Sequence, residues 1–140
     1  MKTYKGFITS LPNNGIFVFG SNTQGRHGRG SALIAKKNFN AIYGQSKGLQ
    51  GKSFAIVTKD LTKLNHPSID KIEIKVQISN LYYYAILHPE LDFYIAYSGN
   101  GNNLNGYSNE ELSKMFNYVK IPENIVFEEE FSKLIKNEKN

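Results

Sequence analysis

Ile16-Phe17-Val18-Phe19 is a short continuous apolar run, opened by Asn13-Asn14-Gly15 and closed by Gly20-Ser21-Asn22. Four β-forming residues between turn residues are too few for a helix and predict a buried strand. Thr23 to Gly30 reads as a loop. From Ser31 the spacing changes: Ala32, Leu33, Ala35, Phe39 and Ile42 recur with a helical period, and Lys36 and Lys37 take the other face. Ser53 to Thr58 predicts a second buried strand. A long helix is expected from about Pro67-Ser68, with Ile69, Ile72, Val76, Ser79 and Tyr83 on one stripe and Leu81, Ala85 and Ile86 widening it. Ile74 and Ile78 fall off that stripe, which leaves part of the stretch open to strand. His88-Pro89 ends it.

Phe93 to Tyr97 predicts a third strand. Ser108, with Glu111 three residues on, has the form of a capping box opening a helix through Met115 and Phe116. Ile125-Val126-Phe127 reads as a last short strand. Glu128 to Ile135 reads as a terminal helix, with acids in its first turn and Lys133 and Lys136 near its end. Residues 137–140 are expected to fray. There is no internal repeat, low-complexity tract or linker. Alternating strands and helices predict a single α/β domain over residues 1–140 with a largely parallel sheet.

Composition narrows the chemistry. The 140 residues are 40% hydrophobic and 21% charged, enough for a core in one domain. The formal charge of +5 admits an anionic partner: nucleic acid, a membrane surface or a phosphorylated small molecule. With no cysteine, a disulfide scaffold, a thiolate zinc site and a cysteine nucleophile are excluded. No apolar run approaches the ~18–20 residues of a membrane span. The first residues lack the apolar stretch of a signal peptide. The expectation is a soluble, cytoplasmic protein with no membrane partner.

Glycine and arginine are unevenly placed. Ten of the 12 glycines form three clusters: Gly20, Gly25, Gly28 and Gly30; Gly44, Gly48 and Gly51; Gly99, Gly101 and Gly106. Arg26 and Arg29, the only arginines, lie inside the first. Their planar donor forks suit phosphate or carboxylate, although loop solubilisers would look the same. The first and third clusters each follow a strand and precede a helix. Ligands of α/β sheets bind beyond the carboxyl ends of the strands, and helix N-termini there attract anions. The two loops are therefore expected to meet around a phosphorylated ligand; the alternative is that both are only tight connections. The first loop is not a P-loop, and its Gly25-x-x-Gly28-x-Gly30 spacing is not a Rossmann fingerprint.

The run Phe19-Gly20-Ser21-Asn22-x-x-Gly25-x-His27-Gly28-x-Gly30-x-Ala32 resembles the first loop of macro domains. Ser98-Gly99-Asn100-Gly101, continuing to Gly106-Tyr107, resembles their second loop. Ile125 to Phe131 is similar to their last strand and acidic helix start. As a whole the chain resembles short phage-associated, macro-domain-like proteins. The resemblance implies a three-layer α/β/α fold with a mixed, largely parallel sheet. It also implies recognition of ADP-ribose, a relative, or an ADP-ribosylated substrate, in the host cytoplasm if the protein is phage-encoded.

By that resemblance Gly20, Ser21, Gly25, Arg26, Gly28, Arg29 and Gly30 contribute to ligand binding from the first loop. Ser98, Gly99, Asn100, Gly101, Asn102, Asn103, Gly106 and Tyr107 contribute from the second. The second loop would wrap the diphosphate, Asn22 would face the distal ribose, and Tyr107 would stack on a ribose or base. His27 and Arg29 stand where the family has glycines. No acidic residue precedes Asp60 to hold adenine, so the base stays open.

Hydrolysis of an ADP-ribosyl linkage would need a base, and His27 is the candidate by residue type, with Asn22 orienting ribose or water. The alternative for His27 is a phosphate donor or a packed loop residue. His66 and His88, each beside a proline, read as turn residues. Neither a metal site nor a cofactor is expected. Asp60 could face the site or cap the turn that follows. Tyr82, Tyr83 and Tyr84 cannot share one helix face, so a stacking platform for single strands is disfavoured. Three functions stay in play: an ADP-ribose-type binder with turnover left open; a non-catalytic phage sponge that sequesters a nucleotide immune signal; and a nucleic-acid module. The last is the weakest, since the lysines are interspersed with acids. Oligomeric state is not legible.

Overall fold

The computed structural model describes residues 1–99 and 103–137. Six strands form one sheet: β1 (Thr3–Tyr4), β2 (Gly15–Asn22), β3 (Gly48–Gln50), β4 (Ser53–Lys59), β5 (Asp92–Ile95) and β6 (Ile125–Glu128). Their spatial order is β1-β6-β5-β2-β4-β3. Every neighbouring pair is parallel except β3 with β4, so the sheet is mixed and mostly parallel. Four helices complete the chain: α1 (Gly30–Asn38), α2 (Lys71–Leu87), α3 (Asn109–Phe116) and α4 (Glu129–Asn137). Residues 138–140, most of the stretch expected to fray, lie outside the described residues.

The strand period of two divides the core. Phe17 and Phe19 of β2 pack with Ala55 of β4, Ala32 and Ala35 of α1, and Phe39. Ile16 and Val18 point the other way, into the cluster that includes Ile78, Leu81, Met115, Phe131 and Ile135 of the other three helices. A strand covered on both faces must be apolar throughout, which is why residues 16–19 form an unbroken run rather than an alternation. The result is three layers, with α1 on one face and α2, α3 and α4 on the other. Among the described residues no helix is long and apolar enough to cross a membrane.

The helix expected after Pro67 is α2, helical throughout, but it buries only part of the expected stripe: Leu81 and Ala85 point inward, whereas Ile72, Val76, Tyr83 and Ile86 face out. Ile74, Gln77, Ile78, Leu81, Tyr82 and Ala85 are buried, whereas Ile72 and Tyr83 are 74% and 66% exposed. Both faces carry apolar residues, so the pattern could not distinguish them. Gln77 is the informative exception. Its amide accepts from the Val57 N–H at 2.7 Å and donates to the Val57 carbonyl at 2.8 Å. The β3–β4 pairing ends at Gly48 and Ala55, so Val57 has no strand neighbour on that side and the side chain replaces one.

Other boundaries shift slightly. The third strand stops at Ile95, although the Ala96 N–H still donates to the Val18 carbonyl at 2.8 Å. The Ser108–Glu111 capping box is present in both directions. Glu128 ends β6 rather than starting the helix, and its carboxylate accepts from the Glu130 and Phe131 N–H groups at 2.5 and 3.2 Å. β1 and β3 carry no apolar run and were not expected.

The face assignment of α2 can be checked with two equal truncations. Ile78→Ala is expected to cost about 2–5 kcal/mol, the range for a large aliphatic lost from a packed core. Ile72→Ala, in dilute protein, should stay within about 0.5 kcal/mol. Urea unfolding reads both; similar losses would contradict the burial pattern.

Candidate functional site

A cavity of about 460 Å³ opens where β2, β4 and β5 end and α1 begins. Gly20 and Asn22 come to it from β2, Thr58 and Lys59 from β4, and Tyr97 and Ser98 from the chain leaving β5. These segments meet because parallel strands deliver their carboxyl ends to one side of the sheet. Arg29 to Ala32 line it from the start of α1, and Asn103, Leu104 and Asn105 from the second loop. Tyr4, Phe7 and Ile8 line it from the N-terminal segment.

The first loop is held by Asn22. Its side-chain amide donates to the Arg26 carbonyl at 2.7 Å, and its oxygen accepts from the Arg26 N–H at 2.9 Å. That reciprocal pair closes a turn of five residues. Gly25, at φ +67°, completes it, because an added Cβ would sit 2.5 Å from the Gly44 backbone. The Gly44 N–H in turn donates to the Gly25 carbonyl at 2.8 Å. Gly28, by contrast, has open space around its Cα, and nothing in the packing requires a glycine there.

His27 turns inward. It is fully buried, edge-on to Phe19 with ring centroids 5.2 Å apart. Its Nε2 lies 3.1 Å from the Gln50 oxygen, which also accepts from the Ile42 N–H at 2.8 Å. An amide oxygen only accepts, so Nε2 is the donor in this contact. Nδ1 has no partner. His27 is not among the cavity-lining residues. It is a packed loop residue, and its assignment as a general base is corrected: the base would have to reach a substrate from inside the core. The role drawn for Asn22 is corrected in part. It touches the cavity, but its amide nitrogen and oxygen are already engaged in holding the turn.

Arg26, Gly28, Arg29 and Gly30 line the cavity as expected. Ser21 does not: it is buried, and its hydroxyl donates to the Asn22 carbonyl at 3.4 Å. Gly25 lies at the Gly44 contact rather than in the lining. In the second loop, Ser98 and Asn103 line the cavity. Asn103 also donates to the Tyr107 carbonyl at 2.8 Å and to Asn109 at 3.0 Å. Asn100, Gly101 and Asn102 lie outside the described residues. Gly99 is exposed and is not in the lining. Gly106 packs on the His66–Pro67 backbone, where a Cβ would come within 2.5 Å. Tyr107 is also corrected. Its ring is buried in the main core, and its hydroxyl donates to the Ile69 carbonyl at 2.6 Å, so it is not placed to stack on a ligand.

The remaining candidates take the plainer role. Asp60 accepts from the Thr62 N–H and hydroxyl at 2.9 and 2.6 Å, so it caps the turn, and these bonds hold its carboxyl below the ordinary range. His66 bonds Ser68 and His88 bonds Glu90. Tyr82 is buried, Tyr84 half-buried and Tyr83 exposed, so the three form no platform.

The electrostatics of the cavity are one-sided. Arg26, Arg29 and Lys59 line it, and among the described residues no Asp or Glu does. Burial, and then the charge of Arg29, push the Lys59 pKa below its ordinary value. Burial raises the phenols of Tyr97 and Tyr4, each further lifted by Glu128, so both stay neutral donors. The Tyr4 hydroxyl is already given to the Ile95 carbonyl at 2.6 Å. At the N-terminus of α1, Arg29 makes no side-chain cap, and the first turn holds no acid. The helix therefore turns its positive end towards a cavity already rich in cations.

Neither the apolar pattern nor the glycine clusters mark Lys59, although it stands directly opposite Asn22 in the β2–β4 register. A strand-end position two strands along is a signal that could have found it. Phe7 and Tyr4 carried none, since the segment before β2 has no periodicity. Compared with protein-family models, characterised proteins and solved structures, the chain matches none.

The Gln50 contact is testable. Gln50→Leu would leave the Ile42 N–H and His27 without their shared acceptor. A loss of about 1–3 kcal/mol is expected for a stranded buried polar group. Thermal unfolding measures it, and an unchanged transition would show that the loop does not depend on this amide.

Proposed function

We propose that the cavity binds ADP-ribose or a related phosphorylated nucleotide-sugar. The phosphates would lie against the first turn of α1, between Arg29 and Lys59. The observation that carries the reading is a nucleotide-sized cavity lined, among the described residues, by three cations and no carboxylate, at the start of a helix whose N-cap Arg29 gives no side-chain cap. Two cations held close together, one of them partly desolvated, repel each other, and an anion between them relieves that repulsion. The resemblance of both loops to those of macro domains supplies the ligand class. The apolar part of the lining, including Phe7 at the mouth, suits a sugar or base face.

Binding without turnover is the better-supported form. His27 is buried away from the cavity, Asn22 is engaged in its turn, and no carboxylate lines the cavity among the described residues. The protein would then hold a nucleotide signal rather than consume it, as a sponge does.

Calorimetry with ADP-ribose and its phosphorylated and cyclic relatives tests the reading, followed by mass analysis of the recovered ligand. Binding with intact ligand is expected; no binding at millimolar ligand would overturn the proposal, and turnover would overturn the sponge form. Arg29→Ala and Lys59→Ala should each weaken binding by about 10- to 100-fold, the worth of one charge-assisted hydrogen bond. The fold should be unaffected.

pH gives a separate handle. The free-state pKa of Lys59 is depressed, and a bound anion favours the ammonium and raises it. Binding should therefore take up protons on the alkaline side and weaken as pH rises through the free-state value. Lys59→Ala should remove that proton uptake. Titrations in buffers of different ionisation enthalpy read it directly.

A further inference from the structure

Lysines and acids are interspersed only from Asp60 onward. Residues 1–59 hold nine of the 17 Lys and Arg and no Asp or Glu, whereas residues 60–140 hold the other eight and all 12 acids. The fold keeps the two parts on different faces. α1, the stretch through Phe39 and Ala41, and the segment carrying Ile8 and Leu11 cover one face of the sheet, and all come from the acid-free part. The helices of the other face carry Glu73, Glu110, Glu111, Glu129 and Glu130.

The outer surface of the α1 layer gathers cations around one ring. Lys36 and Lys37 stand exposed on the last turn of α1. Lys52 is exposed beside them, since its N–H donates at 3.0 Å to the carbonyl of Phe39, just after the helix. Lys36 Nζ lies 5.0 Å from the ring centre of Tyr43, which is 58% exposed. Lys47, also exposed, immediately precedes the edge strand β3. Among the described residues no carboxylate pairs with any of these lysines. The helix dipole accounts for Lys36 and Lys37, but not for Lys47, Lys52 or the missing acids.

We propose that the α1 face binds single-stranded nucleic acid, with phosphates along the lysines and a base on Tyr43. Cations that follow a backbone, with an exposed ring among them for a base face, are what a single strand requires. A bilayer fits this face poorly. The outward residues of α1 include Lys36, Lys37 and Asn38, while Ala32 and Ala35 are buried, so there is no apolar stripe to insert. An acidic peptide would satisfy the charge and leave the ring idle. None of the four lysines lines the cavity, so this face acts whatever the cavity holds.

Fluorescence anisotropy with a labelled strand of about 12 nucleotides tests the proposal, with salt varied from about 50 to about 200 mM. The strand is made as RNA and as DNA, and the tighter of the two identifies the sugar preferred. Micromolar binding is expected at low salt, with a log–log salt slope of about −3 for four phosphates. Lys37→Ala with Lys52→Ala should weaken binding about 10-fold or more and flatten the slope by about 1.4. Tyr43→Ala should weaken it about 10-fold and leave the slope unchanged. Both variants lie at exposed positions and should match the parent by circular dichroism. No binding of either strand at about 100 μM protein and low salt would overturn the proposal. So would binding that the lysine variant or Tyr43→Ala leaves unchanged. A duplex of the same sequence, polyglutamate or phosphatidylglycerol vesicles bound as tightly as the single strand would also overturn it, since charge alone would then suffice.

Discussion

The reciprocal hydrogen bonds between the Asn22 side chain and the Arg26 backbone are the hinge of this molecule. They turn the chain sharply as it leaves β2, before it has travelled far enough to form a loose loop. Everything distal follows from that turn. Gly25 is pressed against Gly44, His27 is sent into the core to meet Gln50, and Arg26 and Arg29 are left at the cavity. A single amide thus sorts its neighbours into an inward and an outward set. A ligand entering the cavity would meet a rim already positioned, with little ordering left to be done.

Much of the framework was legible because the signals are local. The apolar run at residues 16–19, the capping box at Ser108 and the alternation of strand and helix each depend on neighbours a few residues apart. The cavity was legible to the extent that parallel strands and glycine-rich turns fix which end of a sheet is open. What the sequence could not disclose was the direction of individual side chains. His27 has the residue type of a base and lies among the right glycines, yet its ring is captured by Gln50, 23 residues away. Tyr107 follows a plausible ligand loop and is captured by the Ile69 carbonyl. Lys59 shows the converse, a plain lysine given significance by the strand beside it.

The long helix illustrates a different limit. Periodicity reports that a stripe exists, and α2 carries two. One is sealed against the sheet, while the other, at Ile72, Val76 and Tyr83, faces outward. A rule that equates apolar periodicity with the core must choose between them without grounds. The buried stripe contains Gln77 and the outer one Ser79, so even the polar interruptions do not separate the two. The distinction rests on what the sheet needs at Val57, a requirement set by strand order.

That requirement reaches beyond the fold itself. An unpaired strand margin is a template on which another chain can grow, and sheet proteins guard against fibrillar growth by hiding or shortening their margins. Here β4 outlasts its antiparallel neighbour, and the exposed remainder would be such a template. The Gln77 amide occupies it from the helix layer with one donor and one acceptor, matched to the one carbonyl and one N–H of Val57. The end of β4 that runs past β3 is thereby closed at Val57, in the manner of a polymer whose growing end has been chemically blocked.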